Sequence, residues 1–160
     1  MNARSPIPLF LMLLVLAACS TTVSTRQGLE ASTRTTLKYV EVDVASSLPT
    51  VTADISTQLE KALNERLAKL PQGATPTTVR IDIIEYRVAS GGDRFFKGAF
   101  AGSNRMTVAV RLIDDKGKQI AAFDVVRSAN PGGIGIFVDQ QSETINAVAD
   151  GVTEVLAAKD

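Results

Sequence analysis

Residues 105–127 read Arg-Met-Thr-Val-Ala-Val-Arg-Leu-Ile-Asp-Asp-Lys-Gly-Lys-Gln-Ile-Ala-Ala-Phe-Asp-Val-Val-Arg. The first half alternates strictly: Met106, Val108, Val110 and Leu112 point one way, Arg105, Thr107 and Arg111 the other. That period of two is the mark of a half-buried strand. Asp114-Asp115-Lys116-Gly117-Lys118 then breaks the pattern with turn residues, and Gly117 can take a positive φ. Alternation resumes over 119–127 with Ala121, Phe123 and Val125 inward. The stretch is therefore a β-hairpin with one apolar face, and that face requires a second layer to cover it.

The rest of the chain supplies the layer. Val51, Ile55, Leu59, Ala62, Leu63, Leu67 and Leu70 recur at helical spacing, opposite Glu60, Lys61, Glu65 and Lys69. Thr50 is placed to cap this helix, and Pro71, Gly73 and Pro76 end it. A second amphipathic helix is predicted over 139–158, with Ile145, Val148, Ala149, Val152, Val155 and Leu156 as its stripe and Asp139 as N-cap. Gly151 interrupts that helix at a cost of about 1 kcal/mol relative to Ala, which a close helix–sheet contact would explain. Two more strands are expected. In 37–44, Val40, Val42 and Val44 share a face opposite Tyr39, Glu41 and Asp43. In 77–89, the apolar phase flips near Ile83 and Ile84, as a bulge would require. The expected order is β-α-β-β-β-α, a two-layer α+β domain over 37–160. Its mixed four-stranded sheet carries two helices on one face, with the first two strands parallel.

The N-terminus sets the address. Residues 1–18 have one early positive charge, Arg4, and an almost wholly apolar run over 7–18. That run is shorter than the roughly 20 residues of a membrane span and matches a secretory signal. Leu16-Ala17-Ala18-Cys19 resembles the bacterial lipobox, in which a precursor is acylated on Cys and cleaved just before it. The resemblance implies cleavage after Leu16-Ala17-Ala18. It also implies diacylglycerol and an N-acyl chain such as palmitate on Cys19, and an anchor stronger than one chain provides. Ser20, where Asp would favour inner-membrane retention, points to the periplasmic face of the outer membrane. Residues 19–36 are rich in Ser and Thr without hydrophobic period, and read as a tether spanning about 20 Å.

Composition narrows the chemistry. The chain has 160 residues, 17 basic and 17 acidic, so no charge excess points to nucleic acid. It has no His and one Cys. The commonest general base and metal ligand are thus absent, and an internal disulfide cannot form. A Ser–Lys pair from Lys97 with Ser90 or Ser103 has no supporting spacing, and Asp114-Asp115 sits in a turn beside two lysines. The reading is non-catalytic, without cofactor or metal.

Two glycine-bearing loops stand out. Residues 90–104 hold three of the six Phe. Arg94, Phe95, Phe96, Lys97, Gly98, Phe100 and Gly102 form either a satellite of the core or a contact surface for a partner or a lipid. Residues 128–137 hold Gly133-x-Gly135, which lacks the third glycine of a dinucleotide fingerprint, and Asp139 would repel an anion there. That loop reads as a tight turn.

Arg94 through Gly102, the Val/Leu-rich strand, Asp114 with Gly117-Lys118, the Gly-rich loop and the terminal amphipathic helix together resemble the DUF4410 family of small bacterial lipoproteins, over residues 35–158. The resemblance implies a small envelope domain and supplies no catalytic residues. Two functions follow as expectations. One is a lipid-anchored structural or accessory binding module with a protein partner or self-association. The other is a subunit of an oligomeric outer-membrane secretion or pore assembly, by fold-level analogy with curli-secretion lipoproteins. A hydrolase is the weakest reading.

Overall fold

The computed structural model describes residues 20–88, 104–129 and 139–158. Among the described residues, five strands and three helices occur in the order β1 (Ser20–Gln27), α1 (Ala31–Arg34), β2 (Leu37–Ala45), α2 (Ala53–Leu67), β3 (Thr75–Arg87), β4 (Asn104–Asp114), β5 (Gln119–Ala129) and α3 (Gln140–Ala157). The strands form one mixed sheet in the order β1-β5-β4-β3-β2. β2 and β3 are parallel, and every other neighbouring pair is antiparallel.

The hairpin is as its alternation dictates. Met106, Val108, Val110 and Leu112 are buried opposite Ala121, Phe123 and Val125. At the turn, Gly117 has φ 76°. The Asp114 carboxylate accepts from the backbone N–H of Lys116 and Lys118 at 2.9 and 2.8 Å. α2 buries Ile55, Leu59, Ala62, Leu63 and Leu67, and α3 buries Ile145, Val148, Ala149, Val152 and Leu156. These residues and the inward side chains of β2–β5 make one core.

The sheet has five strands, not four. Residues 20–27 do not form a tether but pair with β5, Val23 against Val125 and Thr25 against Phe123. Thr and Val suit a pleated surface, but the side chains from Thr21 to Gln27 are all exposed, so no hydrophobic period announces the strand. α1 adds a single helical turn in the same region.

Two bulges correct the faces of β2 and β3. A register shift between Tyr39 and Glu41 leaves Val40 as the extra residue, 55% exposed, while Tyr39 joins Leu37, Val42 and Val44 against the core. The expected face of Val40, Val42 and Val44 therefore holds for the last two only. The shift in β3 falls between Ile83 and Glu85, leaving Ile84 47% exposed and returning Tyr86 to the core side. Each bulge adds one residue, so side-chain parity reverses beyond it. α2 starts after Thr52 rather than Thr50, with no side-chain cap bond.

α3 begins as expected. Asp139 Oδ1 accepts from the N–H of Gln141 and Ser142 at 3.1 and 3.2 Å. Gly151 faces the sheet: a Cβ there would lie 2.8 Å from Thr21 Cγ2 and 2.9 Å from Val125 Cγ1. The glycine lets α3 sit down on β1 and β5. Between the helices, Arg66 of α2 donates to Asp150 Oδ1 at 2.6 Å and to Asn146 Oδ1 at 3.1 Å.

Candidate functional site

The expected lipidation residue Cys19, with the expected cleavage residues Leu16, Ala17 and Ala18, lies outside the described residues. So do the candidate contact residues Arg94, Phe95, Phe96, Lys97, Gly98, Phe100 and Gly102, together with the Gly133-x-Gly135 motif and the Ser90, Lys97 and Ser103 set. The strands that flank these segments are described, and they bring the attachment points together. Ser20 pairs with Ser128, Ser128 with Arg105, and Arg105 with Arg87. One row across the sheet thus holds the residue after Cys19, the end of β5, the start of β4 and the end of β3. The chain enters and leaves both loops at the end of the sheet where Cys19 precedes Ser20. Sequence reasoning missed this, because a tether would have separated the cysteine from the fold.

The helices cover one face of the sheet, and the opposite face carries charge. Its alternating positions hold Asp43 on β2, Arg80, Asp82 and Glu85 on β3, Arg105 and Arg111 on β4, Asp124 on β5 and Arg26 on β1. Cross-strand ion pairs knit them together: Arg26 to Asp124 at 2.7 Å, Arg105 to Glu85 at 2.9 Å, Arg80 to Asp43 at 3.7 Å, and Arg111 to Asp82. Thr107 donates to Glu85 at 3.0 Å and Thr78 to Glu41 at 3.2 Å. Arg80 and Arg111 stand directly opposite each other, yet each has an acid beside it. Most of these pairs are half exposed, so each adds at most about 1 kcal/mol. Their collective effect is a fixed pattern of alternating sign.

A depression of about 920 Å³ crosses this face, reaching from Arg26 to the segment after β2, with the Asp82–Arg111 pair on its floor. The Ser46 hydroxyl donates to Ile83 C=O at 2.9 Å and accepts from Leu48 N–H at 3.1 Å, which folds that segment over the rim. The lining offers carboxylates, guanidinium groups, amides and hydroxyls, a surface suited to polar contacts. A smaller hollow of about 290 Å³ lies among Tyr39, Leu70, Pro71 and Leu156 on the helix side.

Shifted titrations lie away from the depression. Burial raises the Tyr39 phenol above its ordinary 10.0, partly offset by Arg34, and burial raises Tyr86, with Asp139 adding to the effect. The Ser142 hydroxyl and the N–H groups of Ser142 and Gln141 hold Asp139 below its ordinary 3.8. Among the described residues, no group of three or more His, Cys, Asp or Glu could hold a metal ion, and no helix is long and apolar enough to cross a membrane. The Asp114 carboxylate is engaged by its own turn.

The pattern of the family described as a domain of unknown function, DUF4410, matches residues 31–133. The chain belongs to the DUF4410 family. No curated protein matches it. Among solved structures, this DUF4410 chain is similar to PelC from Paraburkholderia phytofirmans, solved as a dodecamer in two crystal forms. One gives a TM-score of 0.53 at 18% identity and the other 0.54 at 17%, each covering 88% of this chain and 100% of that chain. At such identities the likeness is one of fold. A protein of Caulobacter crescentus CB15 described as a lipoprotein gives 0.41 at 19% identity, covering 79% of this chain and 92% of that chain.

Proposed function

We propose that this DUF4410 protein is a lipid-anchored, non-catalytic subunit of a homo-oligomeric assembly on the periplasmic face of the outer membrane. The observation that carries the reading is the junction at residues 19 and 20. The lipobox-like Leu16-Ala17-Ala18-Cys19 runs directly into β1, whose first residue is Ser20. Lipid on Cys19 would then hold an edge strand of the sheet, rather than a distant tether, at the headgroups. β3 ends and β4 begins at that same end of the sheet, which favours a membrane-proximal contact role for the segment 94–102 between them. Self-assembly is supported by the fold likeness to PelC, which spans the whole of a chain solved as a dodecamer.

The 920 Å³ depression favours a second reading, an accessory module that binds a polar partner as a monomer.

Two measurements test the proposal. Cys19→Ala should abolish palmitate labelling, leave unprocessed precursor and alter membrane fractionation; unchanged labelling would refute the anchor. The full-length lipoprotein in detergent should run as a discrete species above dimer, whereas the accessory reading expects a monomer.

A further inference from the structure

We infer that the two outer strands are the head and tail of a heterologous interface: the free edge of β1 in one copy adds to the free edge of β2 in the next. The inference rests on the self-assembly reading and assigns its contact surface.

Four observations point to this pairing. First, among the described residues β1 and β2 end the sheet, so each pairs there with one strand on one side. An open edge invites another strand unless charge, proline, a bulge or cover blunts it. β1 has one charged residue in eight, Arg26, and no proline. Its one irregularity falls at its far end, between Thr25 and Gln27. Its side chains from Thr21 to Gln27 are exposed, so within one copy the strand gains little from burial.

Second, the exposed large hydrophobics among the described residues are Val23, Val40 and Ile84. Val23 lies on β1 and Val40 on β2. The bulge at Val40 and the charge of Lys38 blunt the first part of β2, which leaves 41–45 as the segment to pair.

Third, strand polarity suits the junction. β1, β5, β4 and β3 alternate in direction, and β2 follows β3. β1 and β2 therefore run in opposite directions. Copies related by rotation about an axis along the strands keep that polarity, so the junction is antiparallel. A β1-to-β1 contact would be isologous and would close at two copies, whereas two different edges generate rings.

Fourth, the charge pattern of the open face continues across the junction. Asp124 of β5 is followed by Arg26 of β1, and the next strand would bring Glu41 and Asp43 of the second copy. Acid, base and acid then stand on successive strands, as they do within the sheet.

The test uses the full-length lipoprotein in detergent with paired cysteines at exposed positions. The variant carrying both Val23→Cys and Ala45→Cys, treated with a short bismaleimide, should give a ladder beyond dimer on a denaturing gel, because an antiparallel junction with Arg26 beside Glu41 and Asp43 brings Val23 opposite the end of β2. Val23→Cys alone and Ala45→Cys alone should stay monomeric, with the wild-type chain as background for Cys19. Val23→Lys, which places a charge on the edge, should shift the native species toward monomer while its circular dichroism spectrum stays unchanged. A discrete wild-type oligomer with no ladder, and with Val23→Lys still assembled, overturns the edge assignment and leaves self-assembly standing. Crosslinking of Val23→Cys alone to a dimer overturns it in favour of an isologous contact. A wild-type monomer overturns the reading beneath it.

Discussion

Replacing Gly151 by alanine sets two opposed effects against each other, and the fold decides the sign. In an isolated helix the change should stabilise α3 by about 1 kcal/mol, because alanine loses less backbone entropy and is the best helix former. Here the new methyl would lie 2.8 Å from Thr21 Cγ2 and 2.9 Å from Val125 Cγ1, well inside ordinary carbon–carbon contact. Val125 is fully buried and β-branched, so it has little freedom to rotate away. Thr21 lies on the edge strand and can yield more easily. Overpacking of this kind costs about 1–3 kcal/mol, so the net expectation is a loss of about 1 kcal/mol. For a domain of this size that lowers the midpoint by about 3 °C. Thermal and urea unfolding followed by far-UV circular dichroism would measure it. Adding Thr21→Ser, which removes Cγ2, should recover part of the loss. If Gly151→Ala instead stabilises the protein by about 1 kcal/mol, the propensity value alone, α3 is not seated on β1 and the docked strand is refuted.

Asp139→Ala should destabilise α3 by about 0.5–1 kcal/mol, the low part of the N-cap range for a solvent-screened group. Because the folded carboxyl titrates below its ordinary 3.8, the contribution is present above that pH and is lost as pH falls below it through the depressed pKa. Asp139→Asn should keep the cap without that pH dependence; urea midpoints between pH 3 and 6 would show both. Arg66→Ala should cost at most about 1 kcal/mol, since the Asp150 end of its pair is 58% exposed. Arg66→Lys should not restore the stability, because an ammonium cannot serve Asp150 and Asn146 in the same fork geometry. Leu63→Ala, at a fully buried position of α2, should cost about 2–5 kcal/mol in the same assay.

The core of the fold was legible because its residues alternate or recur at helical spacing. Met106 to Leu112, the stripes of α2 and α3, Asp139 as a cap and Gly151 as a close contact all follow from side-chain chemistry acting locally. The phase flip at Ile83 and Ile84 correctly marked a bulge, yet the matching bulge at Val40 was hidden. Three valines at alternate positions look like one face, and only the pairing with β3 shows that Val40 is the extra residue. β1 was illegible for a related reason. A strand held by backbone bonds to β5, with its side chains in water, leaves no hydrophobic period to read. The candidate site fared similarly. Cys19 and the Phe-rich segment could be singled out in the sequence, but that the described strands next to them start or end in one row depends on strand register. The charge lattice of the open face also needs that register. Arg26 and Asp124 are 98 positions apart in the chain, and nothing local relates them.

Native mass separates an anchored oligomer from an isolated chain most directly. Full-length protein extracted in mild detergent and measured by native mass spectrometry, across a range of concentrations, should give one discrete oligomer larger than a dimer, with acyl chains on every copy. A lipidated monomer that persists at the highest concentration would contradict it.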